Sequence, residues 1–350
     1  MQVQVDPKLF HEFYFKMVLP MKLPITSQRV IEEFVDIDVN SEVVSKIIHQ
    51  NQYVEQLLLQ EIKALGLKEN TPSLKAAIVL MGMQGVRNFV CALQVLRRVL
   101  RTHPKAGKNG KLELKISDYL KYSVRGEEFV HNHNMQYADS AFAAGLMFDV
   151  LAYIGREHFK ADKTFDEYVA EVFKHGLKAA RVGTELAKSF KNLGFSKYVF
   201  GACLIHDIGK LVMELLYPPS TDKNSFAKFR EDMTKAPLSR DVIHFMEIKR
   251  FGLPHEYYGA QLAYIYEPFK IVERAILFHH DPYIIRQSNK DLYSLACIIA
   301  LSTNMASHFR IPKDGSDPIY KAWITPELKD FKVDPKLLKI TMSKIGNEMF

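Results

Sequence analysis

The stretch Tyr198-Val-Phe-Gly-Ala-Cys-Leu-Ile-His-Asp-Ile-Gly-Lys-Leu-Val-Met-Glu-Leu-Leu216 is apolar nearly all the way round before Lys210, yet it carries His206 and Asp207 at its centre. Apolar residues on every face predict a helix buried among other helices. An ionised carboxylate in such a place is costly unless a cation or several donors meet it. A metal ion would do so, and so would a protonated histidine. Adjacent residues on a helix point about 100° apart, so His206 and Asp207 can share an ion only near the helix surface. Any further partners must come from neighbouring helices.

The chain offers such partners. His175 lies in Phe173-Lys-His-Gly-Leu-Lys-Ala-Ala-Arg-Val182 on the preceding helix, His255 opens a helix just after Pro254, and His279 with His280 closes the apolar helix Val272–Pro282. Imidazole and carboxylate are the usual ligands of divalent first-row metals, and six such groups could hold two ions, with Fe, Mn or Zn as candidates. Lys210, four residues after His206, is placed to neutralise a phosphate oxygen near the metal. Each residue alone is more simply a satisfied core side chain or a favourable charge late in a helix. The ordered set, with four pieces in compatible helical contexts, points to a metal centre.

The rest of the sequence reads as helices of moderate length separated by Pro, Gly, Asn and Asp, with no series of alternating strands, so the fold class is all-α. With 350 residues, 47% of them hydrophobic, the chain can bury a large core. Its organisation reads as an N-terminal helical subdomain over 1–101, a helical insertion or degenerate repeat over 102–163, a helical core over 164–312 and a C-terminal appendage over 313–350. In the front part, Leu74–Met81 and Val86–Leu93 are joined by a tight Gly82-Met-Gln-Gly85 turn. Phe142-Ala-Ala-Gly-Leu-Met-Phe-Asp-Val150 aligns without gaps on Phe200-Gly-Ala-Cys-Leu-Ile-His-Asp-Ile208, placing Phe148 where His206 stands and Asp149 where Asp207 stands. A duplication that lost its histidine explains this, and so does composition alone.

Cys91, Cys203 and Cys297 lie far apart in apolar stretches and read as reduced core residues. The N-terminus lacks a basic-then-apolar leader and no apolar run reaches the ~18 residues of a span, so a cytoplasmic location is expected. The net charge of +7 favours anionic partners mildly. Its densest stretch, Arg97 to Lys115, reads as a solvated loop. Without basic-aromatic interleaving or a helix-turn-helix pattern, the sequence argues against nucleic-acid binding.

The order His, His-Asp, His, His-His, with His206-Asp-Ile-Gly-Lys210 at its heart, resembles the HD superfamily of metal-dependent phosphohydrolases. Within it the chain is most similar to the HDOD domain, the HD-related output domain of bacterial signalling proteins. Leu74-Lys-Ala-Ala-Ile-Val-Leu-Met-Gly-Met-Gln-Gly-Val-Arg-Asn-Phe-Val90, Phe251-Gly-Leu-Pro-His-Glu-Tyr-Tyr-Gly-Ala-Gln-Leu262 and Ile276-Leu-Phe-His-His-Asp-Pro282 carry that narrower likeness.

There are two departures from the family pattern. HD phosphohydrolases complete the first metal site with an aspartate on a late helix, where this chain has Thr303 or Asn304. The HD-GYP branch, which cleaves cyclic-di-GMP, carries Gly-Tyr-Pro after its His-His, where this chain has Asp281-Pro-Tyr-Ile-Ile-Arg286. The resemblance implies a cytoplasmic bacterial regulatory protein, with a degenerate HD site, acting through a protein partner or ligand. The alternative it implies is a metal-dependent phosphohydrolase acting on a nucleotide or cyclic dinucleotide.

Overall fold

A computed structural model of the chain describes residues 120–188 apart from 134 and 136, 193–218, 225–235 and 240–307, together with 41–52, Ile345 and scattered positions between 13 and 90. Among these residues every regular element is helical and no strand is present, so the chain is all-α. The basic stretch Arg97–Lys115 and the C-terminal appendage, apart from Ile345, lie outside the described residues.

The chain divides into a unit of Lys22–Tyr153 and a unit formed by Met1–Met21 with Ile154–Phe350. In the first, helix α1 (Ser41–His49) buries Val44, Ile47 and Ile48, spaced as one face of a 3.6-residue period. They join Val30, Leu58, Leu74, Ile78, Val86 and Val90 in one apolar cluster. Gly82, in the expected turn, has φ of +70°, a conformation that costs glycine little. Helix α2 (Lys121–Asn132) follows, and then α3 (Ala138–His158), which belongs to this unit as far as Tyr153. Arg87 holds both carboxylate oxygens of Glu127 at 2.8 Å, and its guanidinium lies 3.8 Å over the Phe142 ring. A buried arginine so paired is satisfied on both its polar edge and its flat face.

The second unit contains α4 (Lys163–Ala187), α5 (Val199–Ile205), α6 (Gly209–Leu216), α7 (Phe226–Lys235), α8 (Arg240–Phe251), α9 (His255–Ile265), α10 (Glu273–Leu277) and α11 (Lys290–Ser307). Short 3₁₀ turns lie at Ser196–Tyr198, Glu267–Val272 and Pro282–Ile285. Asp162 starts α4 as its N-cap, its carboxylate accepting the Thr164 N–H at 2.9 Å. Helices α5 and α11 pack on α4, and α6 packs on α9. The α6–α9 crossing is very close: a Cβ on Gly209 would overlap the His255 carbonyl oxygen.

The expected single helix over Tyr198–Leu216 is two helices, separated by a tight turn at residues 206–208. The backbone stays in the right-handed helical region at His206 and Ile208 but tightens to i→i+3 hydrogen bonds, Ile208 N to Ile205 O and Lys210 N to Asp207 O, both 2.9 Å. The cause lies in the side chain. His206 Nδ1 donates to the carbonyl of Cys203, inside the last turn of α5, at 2.7 Å. Such local side-chain bonds compete with the helical ladder.

Phe142–Val150 supplies the contrast. With Phe148 in place of His206, that segment lies inside the continuous α3. Its Asp149 accepts the N–H groups of Tyr122 and Ser123 at 2.8 and 2.9 Å, capping the start of α2. The same His/Phe-Asp pattern thus caps a helix in one place and, as shown next, gathers imidazoles in the other.

Candidate metal centre

Asp207 is the hub. Its Oδ2 lies 3.7 Å from His175 Nε2, 3.3 Å from His206 Nε2 and 2.6 Å from Lys210 Nζ; its Oδ1 lies 3.1 Å from His255 Nε2 and 4.0 Å from His279 Nε2. His280 completes the group, its Nε2 3.2 Å from His255 Nε2. The fold therefore brings together all six expected ligands. They come from α4, the α5–α6 turn, the first residue of α9 and the bend after α10, which ends at Leu277 rather than extending to His280. His206, Asp207, His255 and His279 are almost wholly buried, while His175 and His280 are half-buried.

Second partners decide which nitrogen of each ring faces inward. His206 Nδ1 and His279 Nδ1 each meet a backbone carbonyl, of Cys203 at 2.7 Å and of Ile276 at 2.6 Å, and His255 Nδ1 meets Glu247 Oε2 at 2.8 Å. A carbonyl or carboxylate only accepts, so Nδ1 carries the proton in all three rings, and Nε2 is the atom offered to Asp207. This is the arrangement that outer hydrogen bonds impose on metal-binding histidines. His206 Nε2 and Asp207 Oδ1 are buried, and the carboxylate faces His206 Nε2 at 3.3 Å and His255 Nε2 at 3.1 Å. Two ring nitrogens at 3.2 Å, one of them also 3.1 Å from a carboxylate oxygen, need a proton or a metal ion between them.

The electrostatics say the same. Burial opposes charge on Asp207, but the His206 ring and the Lys210 ammonium more than offset it and hold the carboxyl well below its ordinary range. Burial likewise disfavours a charged His255, and the carboxylates of Glu247 and Glu256 outweigh it, raising the ring to about 10. His175 goes the other way: burial dominates and lowers it to about 4, despite Asp207. The ligand groups His175/His206/Asp207 and His255/His279/His280 are each compact enough for one ion. The donor set, neutral imidazole with carboxylate, fits Fe, Mn or Zn.

The cluster opens on a cavity of about 570 Å³. Lys210, His175 and Tyr168 line one part of it, and Thr303, Asn304 and Ser307 of α11 another. Lys210 points its ammonium at Asp207. Thr303 is a buried hydroxyl without a hydrogen-bond partner among the described residues.

Three functional neighbours escaped sequence reasoning. Glu247 on α8 and Glu256 on α9 are both nearly fully buried against His255 Nδ1, at 2.8 and 3.4 Å, and His244 approaches Glu256 Oε1 at 2.7 Å. Glu256 adjoins His255 in sequence, but Glu247 belongs to another helix and no local pattern links it to the histidine.

No family model matches the sequence, and no curated protein does. Two solved structures are similar over nearly the whole chain. One, from Shewanella amazonensis and provisionally assigned as a phosphohydrolase, covers 98% of this chain and 96% of its own at 18% identity with a TM-score of 0.47. The other, the MmoQ response regulator from Methylococcus capsulatus, covers 92% of this chain and 96% of its own at 14% identity with a TM-score of 0.35. Function is to be read from the Asp207 cluster itself.

Proposed function

We propose that this chain is a signalling protein of HDOD type, acting through a protein partner or ligand, whose HD-like site binds a divalent cation, Fe, Mn or Zn, without being built for efficient hydrolysis. The observation that carries this is the pairing of a gathered ligand set with a neutral late helix. Asp207 and five imidazoles converge, yet α11 presents Thr303 and Asn304 to the cavity instead of a carboxylate. One anionic ligand fewer weakens cation affinity and leaves a more positive site.

His175, His206, Asp207, His255, His279 and His280 would hold the cation. The chemistry a divalent ion supplies when bound is Lewis-acid polarisation of a phosphoryl oxygen and acidification of water. In the absence of substrate, Lys210 neutralises Asp207, so a phosphate would have to draw the ammonium away from a buried carboxylate.

The second reading is a metal-dependent phosphohydrolase acting on a nucleotide or cyclic dinucleotide. It is favoured by one specific observation: the cavity beside the cluster exposes Lys210 and His175 together. Both readings meet one experiment. Protein purified without chelator is measured for metal per chain and for turnover of a generic phosphodiester, beside Asp207→Ala and His206→Ala. The regulatory reading expects metal in the wild type, none in Asp207→Ala, and no turnover. Turnover abolished by His206→Ala would establish the hydrolase instead, and a wild type without metal would remove the metal centre from both.

A further inference from the structure

Of the five inward-facing histidines, His255 is held differently. His206 and His279 give their Nδ1 protons to carbonyls of the helices that end just before them, three residues back in each case. Those acceptors are fixed by the backbone and are neutral. His255 stands at the first turn of α9, where no preceding helical carbonyl is within reach, and its Nδ1 instead meets a carboxylate from another helix. Glu247 Oε2 takes two bonds from the same residue: the ring Nδ1–H at 2.8 Å and the backbone N–H of His255 at 3.2 Å. One oxygen therefore fixes both the backbone at the start of α9 and the ring that projects from it.

The environment makes this hold tight. Glu247 and His255 are each 3% exposed. Turning the ring over would leave this largely buried carboxylate oxygen with the backbone N–H of His255 alone, which disfavours the flipped ring. The opposite ring nitrogen, Nε2, is where the cluster meets: it lies 3.1 Å from Asp207 Oδ1 and 3.2 Å from His280 Nε2. Turning the ring over would take Nε2 away from both Asp207 and His280.

We propose that Glu247 is the positioning residue of this centre, fixing the tautomer and orientation of His255 so that Nε2 is presented to a divalent cation. The proposal rests on the metal-binding reading given above. Glu256, with its Oε2 3.4 Å from the same Nδ1, adds negative charge on that side, but the bond is made to Glu247. A carboxylate behind an imidazole makes the ring a stronger donor than a carbonyl does, and removing such a partner costs about 10–100-fold in metal affinity.

The test uses the full chain, stripped with chelator and titrated with Co²⁺ as the probe, its visible absorption reporting both affinity and ligand field. Glu247→Gln keeps the shape and removes the charge; the expected result is a 10–100-fold weaker Kd with an altered Co²⁺ spectrum. The melting temperature of the stripped protein is measured alongside, because a purely structural role would lower it and leave the Co²⁺ titration of the folded protein unchanged. Glu247→Asp, which keeps the charge but draws it back by one methylene, makes the same comparison if Glu247→Gln does not fold. Wild-type Co²⁺ affinity and spectrum in the folded variant would overturn the proposal while leaving the metal centre standing. A wild type that binds no Co²⁺ would overturn both.

Discussion

His175 and His255 sit about one carboxylate apart and are driven in opposite directions, which gives the metal-free protein a defined response to pH. His255, raised to about 10 by Glu247 and Glu256 against burial, contributes stability in full below its ordinary value of 6.5, and that contribution is lost as pH rises through 10. His175, lowered by burial to about 4, contributes above 6.5 and loses its contribution as pH falls through 4. Together these two histidines favour the folded, chelated protein most near pH 6.5. Urea midpoints at pH 4.5, 6.5 and 9 check this, and equal midpoints at all three would contradict it. Metal affinity moves differently. Each cation entering at His255 displaces a proton, so binding strengthens continuously as pH rises from 6 to 9, and a pH-independent Kd would be the contrary result.

At the level of elements, the α6–α9 crossing is backbone on backbone. A Cβ on Gly209 would also fall 2.7 Å from Gly259 N, so the helices must separate to admit it. Gly209→Ala is expected to cost about 3 kcal/mol or more, at the upper end of overpacking effects, and to loosen the site because His255 opens α9 at that contact. Thermal denaturation and metal titration of the variant read both; an unchanged melting temperature would refute the crossing. What the sequence conveyed about these elements follows from the range of each signal. Helical periodicity is local, so the all-α class was legible, and Pro254 marked the start of α9 correctly. The interruption at residues 206–208 was not legible, because the run up to it is apolar, carries no Pro, and has its glycines, Gly201 and Gly209, on either side of the break; at the break itself one imidazole reaches the Cys203 carbonyl. Glu247 could not be found from sequence, since on α8 it is one more charge near the end of a helix whose last turn carries Lys249 and Arg250.

For the molecule as a whole, the ligands join four segments that are far apart in the chain, from α4 to the bend after α10. A cation bound there and not in the unfolded chain adds about 2.7 kcal/mol at a concentration of 100 times its Kd. Differential scanning fluorimetry with and without Mn²⁺ or Zn²⁺ should show a melting temperature several degrees higher with metal, the increase vanishing in Asp207→Ala. No increase in the wild type would count against a cation as part of the folded state. Among the described residues no helix is long and apolar enough to cross a membrane.

The two His/Phe-Asp segments set a phenyl and an imidazole in the same short sequence context. Where the ring is phenyl, the helix runs straight and its aspartate serves architecture; where it is imidazole, the helix yields and its aspartate serves chemistry. Continuity of the helix and capacity for a ligand are thus alternative outcomes of a single position. Phenylalanine at residue 206 would remove one imidazole from the cluster and, with it, the Nδ1 bond to the Cys203 carbonyl, so a single side chain touches both the ligand set and the course of the helix.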